Sequence, residues 1–292
     1  MPPDLRAAEG FVFDVDGTLV QRGRDHTMQV IPGAVEVLSA LRDAGRPFVV
    51  FTNGTHVQPA ELAAELRAVG LPVDDDAALT PVDSFLDYAA RRHVGARVLL
   101  LATEPARERI AAAGVSLVAA GEEETADVVF VAHVHDVTLP QLEAAARAVV
   151  AGAPLLTASY VSAYSGADGP IFSRGAMTTA AIAKASARRP TVVGKPSRAA
   201  VRTVVDRLGI RSDRLAVVGD DARMDIGLGH TGGSRTVLVR TGISGGSGLS
   251  GIPAARRPHL VVDSIADLTG ALYGARKPSS AGRKRRSRSI VT

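Results

Sequence analysis

Short apolar runs alternate with alanine-rich stretches along most of the chain, and this alternation limits the fold more than any single residue does. Runs at 11–15, 48–52, 98–101, 128–132, 154–157, 191–193, 215–219, 236–239 and 260–262 are too short for helices and mostly apolar at successive positions. Strands of that kind have two buried faces, as a sheet covered by helices on both sides requires. The stretches between them predict helices at 34–44, 59–69, 82–93, 104–113, 139–150, 178–187 and 198–208. Gly45, Gly70, Gly114 and Gly209 stand where helix C-caps belong. The expected class is α/β, built from βαβ units around a doubly wound, mainly parallel sheet. Aromatic residues are only 4% of the chain, so small aliphatic side chains must fill the core.

Open parallel sheets bind ligands outside the carboxyl ends of their strands. Four separated stretches then fall at strand ends: "FVFDVDGTLV" (11–20), "FTNG" (51–54), "VGKP" (193–196) and "VVGDDARMD" (217–225). If their strands are neighbours, three or four carboxylates, one lysine and several hydroxyl or backbone donors converge at one edge. Carboxylates gathered at one point repel each other unless a counter-charge is supplied. Mg²⁺ suits an all-oxygen set of this kind. Asp14 and Asp220 are the expected ligands, Asp16 contributes its backbone carbonyl, and Asp221 and Asp225 compete for the remaining place in support. Asp14 is then placed to act as a nucleophile and Asp16 as an acid and base. Lys195 would neutralise the transferring group, and Thr52 with the adjoining Asn53 and Gly54 would donate hydrogen bonds to it. Asp-x-Asp alone is a weak signal. Asp-x-Asp-Gly-Thr directly after an apolar strand, followed in order by the other three stretches, is a specific one.

Those four stretches resemble the four motifs of the haloacid dehalogenase (HAD) superfamily, in order, across about residues 10–272. The resemblance implies a Rossmann-like HAD core in which Asp14 is the nucleophile, Asp16 the acid/base, Thr52 and Lys195 the holders of the phosphoryl group, and Asp220 a Mg²⁺ ligand supported by Asp225. About 30 residues separate the first two motifs, and about 140 separate Thr52 from Lys195. The long interval implies an inserted α/β cap. The expected division is core at 1–80, cap at 81–184, core again at 185–273 and a basic disordered tail at 274–292. This layout, with "TNG" and "TGIS", is similar to the NagD-type branch, whose members are mostly phosphatases of sugar phosphates, nucleotides, p-nitrophenyl phosphate or small organic phosphates. A homodimer through the cap is implied on the same footing.

The resemblance names no substrate. Many members of the branch carry Thr-Asn-x-Asp near the cap edge, whereas this chain has Ser159 and Val161 there. Tyr160, Tyr164, Asp168 and Arg174 are the expected substrate readers, with Gly54 and His56 beside the phosphate; cap packing and loop solvation are the plainer alternative. His133 and His135 have metal-ligand spacing but no third soft ligand, so they read as a strand end. The acidic runs 74–76 and 122–124 read as solvated loops, and 241–253 as a flexible Gly/Ser-rich loop. A phosphotransferase or phosphomutase would share the first half-reaction. A non-catalytic phosphometabolite sensor would not need both Asp14 and Asp16. A dehalogenase is disfavoured because Asp16 and the phosphate-type motifs are intact.

The absence of cysteine excludes disulfides, thiolate zinc sites and a cysteine nucleophile, and fits a reducing cytoplasm. No apolar run approaches the roughly 20 residues of a membrane helix, and no membrane partner is expected. The tail 274–292 holds seven Lys or Arg and no acid. Removing those seven charges from the net +4 leaves −3, so the folded body is mildly acidic. The tail reads as a solubilising terminus rather than a nucleic-acid arm.

Overall fold

The computed structural model describes residues 4–23, 27–119, 122, 125–166, 169–244, 249 and 251–273. The expected tail lies outside them. In chain order the strands are β1 (Gly10–Phe13), β2 (Val20–Arg22), β3 (Met28–Val30), β4 (Phe48–Phe51), β5 (Ala78–Leu79), β6 (Arg97–Leu101), β7 (Ser116–Leu117), β8 (Val128–Val131), β9 (Leu155–Thr157), β10 (Ala163–Gly166), β11 (Gly169–Phe172), β12 (Thr191–Val192), β13 (Leu215–Gly219), β14 (Arg235–Val239) and β15 (Leu260–Val262). The α-helices are α1 (Ala34–Asp43), α2 (Pro59–Ala68), α3 (Pro81–Arg92), α4 (Glu104–Ala112), α5 (Leu139–Ala151), α6 (Arg174–Ser186), α7 (Arg198–Leu208), α8 (Asp225–Gly232) and α9 (Leu268–Tyr273).

Six parallel strands form the first sheet, in the order β15-β14-β13-β1-β4-β5. Its middle strand β1 is buried at every position, and β13 is as well. One face packs Phe11, Phe13, Val50, Val218 and Val237 against α1, α2 and α9 residues such as Leu38, Leu62 and Leu268; the other packs Val12, Val49, Phe51 and Val217 against α7 and α8. Because β1 lies between β13 and β4, the chain leaves it in both directions across the sheet. The crevice beyond its carboxyl end is the switch point where such sheets bind ligands.

The second sheet has five parallel strands, in the order β12-β9-β8-β6-β7. Clusters around Phe85 and Phe130 on one face and Val129, Val149 and Ile182 on the other bury it. β12 lies past residue 184, so this sheet takes in a strand that the sequence reading left with the first body. Two antiparallel hairpins, β2–β3 and β10–β11, complete the strands among the described residues. Helix ends follow the sequence signals: Ser197 caps α7, a Thr138/Gln141 capping box opens α5, and Gly45, Gly70, Gly114 and Gly209 all take positive φ. Among the described residues no helix is long and apolar enough to cross a membrane.

Candidate active site

β1 ends at Phe13, and the next residue, Asp14, is buried at the switch point. Its Oδ1 accepts a hydrogen bond from Lys195 Nζ at 2.6 Å, and its Oδ2 accepts one from the Thr18 hydroxyl at 3.3 Å. Lys195 Nζ also donates to Asp225 Oδ1 at 2.7 Å and to the Phe51 carbonyl at 2.6 Å. All three ammonium donors are therefore used, and the lysine is only 2% exposed. Burial opposes its charge, but Asp14 and Asp225 outweigh that cost and hold its pKa above the ordinary lysine range.

Asp220 follows β13, the strand beside β1. Its Oδ2 accepts from the Ile243 amide at 2.6 Å. Two glycine backbones press against it: a Cβ on Gly17 would meet Oδ2 at 2.6 Å, and one on Gly242 would meet it at 1.8 Å. Burial first, then the charges of Asp14 and Asp225, push the Asp220 pKa up to about 9. The same burial and the charge of Asp14 raise Asp225 despite its lysine partner. Asp14, Asp220 and Asp225 each offer a carboxylate oxygen within 4.8 Å of the others. Asp221 turns away from this trio, accepting the amides of Arg223 at 2.7 Å and Met224 at 3.1 Å to close the turn into α8.

Asp16 is outside the trio. Its carboxylate is paired with Arg22, whose Nε donates to Oδ1 at 2.8 Å. Burial raises its pKa; Arg22 opposes the rise and Asp14 adds to it.

The loop after β4 joins the two sheets. Thr52 Oγ1 accepts the Gly54 amide at 3.0 Å. Asn53 spends both ends of its carboxamide on the Lys195 backbone: Oδ1 accepts the Lys195 amide at 3.0 Å and Nδ2 donates to its carbonyl at 3.3 Å. Thr55 accepts the His133 amide at 2.8 Å, just past β8, and its own carbonyl accepts the Thr103 hydroxyl at 3.4 Å, just past β6. The rings of His56, His133 and His135 form a series, with centroids 6.0 and 5.2 Å apart. Burial, then His135 and Arg174, lowers the His133 pKa. Arg174 Nη1 donates to the His135 carbonyl at 2.9 Å, and Tyr160 is exposed beyond β9. Asp168 and the Tyr164 side chain lie outside the described residues.

Two expectations are corrected here. Lys195 does not come from a neighbouring strand of the first sheet; it follows β12 at the edge of the second, and Asn53 clamps its backbone so that the long side chain reaches Asp14. The stretch 241–253 is not a surface loop throughout: Gly242 and Ile243 wrap Asp220, the Ser244 amide donates to the Asp220 carbonyl at 3.3 Å, and its hydroxyl accepts the Ala222 amide at 3.1 Å. Thr18, Arg22, Thr55 and Ile243 were missed. The sequence marks the first only by its place in Asp-Gly-Thr, and the others not at all, since backbone amides and salt-bridge geometry leave no pattern.

The donor set is hard oxygen, negatively charged and too crowded to stay ionised alone, which fits Mg²⁺. A Cβ on either glycine would fill the cradle of one donor. A family model for haloacid dehalogenase-like hydrolases matches residues 11–116, and a HAD-hydrolase-like model matches 192–268. Chronophin of Rattus norvegicus is 30% identical, with 94% of this chain and 91% of chronophin covered. The chain is a haloacid dehalogenase-like hydrolase. The ribonucleotide monophosphatase NagD of Escherichia coli is 26% identical over 88% of this chain and 96% of its own length, and NagD is also among the similar solved structures, which puts the chain in the NagD-type branch of the superfamily. The p-nitrophenyl phosphatase from Archaeoglobus fulgidus superposes with a TM-score of 0.80 at 28% identity, covering 92% of this chain and all of that one.

Proposed function

We propose that this HAD hydrolase is a Mg²⁺-dependent phosphatase that cleaves small phosphomonoesters through a phosphorylated Asp14. The observation that carries the reading is the Asp14–Lys195 pair: a buried carboxylate at the switch point, held at 2.6 Å by a fully buried ammonium and flanked by Asp220. The names of the relatives, a ribonucleotide monophosphatase and a p-nitrophenyl phosphatase, support a phosphomonoester substrate.

Lys195 holds Asp14 Oδ1 at 2.6 Å, which leaves the other carboxylate oxygen to attack phosphorus. As the new P–O bond forms, the ester P–O bond breaks and its electron pair leaves on the ester oxygen, which takes a proton from the Asp16 carboxyl. Water then attacks phosphorus and gives its proton to the Asp16 carboxylate. The bond to Asp14 breaks and phosphate departs. The Thr52 hydroxyl and the Asn53 amide donate to the phosphoryl oxygens; the Asn53 carboxamide is already committed to Lys195 and the Gly54 amide to Thr52 Oγ1. Asp14, Asp220 and the Asp16 carbonyl would hold Mg²⁺, with Asp225 in support. When bound, the ion offsets the charge collected on phosphoryl and carboxylate oxygens.

In this reading the first sheet, from residues 1–80 and 193–273, is the catalytic core, and 81–192, with β12 in its sheet, form the cap that chooses the substrate. His56, Tyr160, Tyr164, Asp168 and Arg174 are the proposed readers. The absence of cysteine supports a reducing, cytoplasmic setting. The test is phosphate release from p-nitrophenyl phosphate, sugar phosphates, glycerol phosphate, phosphoglycolate and nucleotides, with Mg²⁺ and then with chelator. Release should need Mg²⁺ and fall at least about 100-fold in Asp14→Asn while the fold is kept. Activity above a tenth of the parent in Asp14→Asn would rule that residue out as nucleophile.

A further inference from the structure

We propose that Arg22 is the positioning residue for the acid/base, holding the Asp16 carboxylate in its working orientation; this rests on the phosphatase reading above. Among the described residues, Arg22 is the side chain hydrogen-bonded to that carboxylate, Nε to Oδ1 at 2.8 Å. Its Nη1 lies 3.5 Å from Glu65 Oε2 on α2. That glutamate oxygen is buried with no hydrogen-bond partner among the described residues, so the Arg22 charge is what offsets it. The guanidinium, 17% exposed, is therefore stretched between a carboxylate of the catalytic loop and one of a core helix.

The strand that carries Arg22 is itself anchored. Gln21 Nε2 donates to the Thr241 carbonyl at 2.7 Å, and the Thr241 hydroxyl donates to the Gly17 carbonyl at 2.6 Å. The hairpin, the loop after β14 and the turn bearing Asp16 thus form one closed set of bonds. An aspartate side chain left alone has several staggered orientations. A charge-assisted bond to a fixed fork selects one of them. Proton donation requires the carboxyl to be within hydrogen-bond reach of the leaving oxygen, so the chosen orientation sets the rate of the step that uses it. Arg22 acts through Asp16; the phosphoryl group is left to the Thr52 hydroxyl and the Asn53 amide.

The dependence of rate on the leaving group tests this. p-Nitrophenolate leaves without a proton, whereas an alkoxide such as that of glycerol needs one. In Arg22→Met with Mg²⁺, kcat/KM should fall about 10- to 100-fold for glycerol phosphate but less than about threefold for p-nitrophenyl phosphate, with intermediate losses for aryl phosphates in between. Steady-state turnover of p-nitrophenyl phosphate should gain an initial burst, because water attack also needs Asp16. Arg22→Lys keeps the charge and loses the fork, so it should show the same pattern at smaller amplitude. That makes the test independent of whether the Met variant folds. An equal loss across the series, or none, in the folded variant overturns the proposal. A parent chain inactive on the whole series removes the phosphatase reading and this proposal with it, whereas an active parent with a flat loss removes the proposal alone.

Discussion

Lys195 shows how a single residue sets the terms of this site. Its ammonium faces two buried carboxylates and one carbonyl, and among the described residues it is the cation in a salt bridge with Asp14 and with Asp225. Breaking a buried pair by removing one partner leaves uncompensated charge and costs about 3–5 kcal/mol. Lys195→Met should therefore lower stability by about that amount in denaturant unfolding, in addition to abolishing turnover. A loss below about 1 kcal/mol would show that the lysine is not the counter-charge of the two carboxylates. The identities of Asp14, Asp16, Lys195 and Asp220 were legible because each sits in a short local pattern. What they touch was not. The three acceptors around Lys195 come from positions 14, 51 and 225, and only the folded chain brings them together.

At the scale of elements, the loop 241–244 does as much for Asp220 as β13 does. Gly242 has no room for a side chain, since its Cβ would stand 1.8 Å from Asp220 Oδ2. Gly242→Ala should push that carboxylate out of line, weakening Mg²⁺ binding in calorimetry and cutting activity by at least about tenfold. Unchanged Mg²⁺ affinity would mean that Asp220 is not a ligand. The apolar strands β1, β4 and β13 were readable within a residue or two, because double burial forces continuous Val, Phe and Leu. The hairpins β2–β3 and β10–β11 were not, because each forms a two-stranded sheet of its own and needs no apolar run. α8 was hidden by three glycines in eight residues, a composition that argues against a helix until packing on β13 and β14 supports it. The placement of β12 in the second sheet was also invisible, because two residues of strand carry no record of which neighbour they pair with.

For the whole molecule, the crowded acids couple stability to pH and to metal. A carboxyl whose folded pKa is raised contributes stability that is complete below its unfolded value of 3.8 and is lost as pH climbs through the folded value, about 9 for Asp220. Asp225 acts in the same direction. Lys195, held above its ordinary range, loses its contribution only at higher pH and does not reverse the trend. The metal-free protein should melt at progressively lower temperature from about pH 5 to about pH 9. Mg²⁺ binds the ionised acids, so it should raise the melting temperature more at about pH 8 than at about pH 5. Equal shifts at both would contradict the assignment of these acids to the metal. The central claim is that the phosphoryl group passes through Asp14, and the most direct measurement is to catch it there. Asp16→Asn, incubated with p-nitrophenyl phosphate and Mg²⁺ and then quenched in acid, should carry one phosphoryl group on the peptide containing Asp14, found by mass spectrometry, and Asp14→Asn should carry none. Phosphorylation elsewhere, or full turnover in Asp16→Asn with no trapped species, would contradict the account.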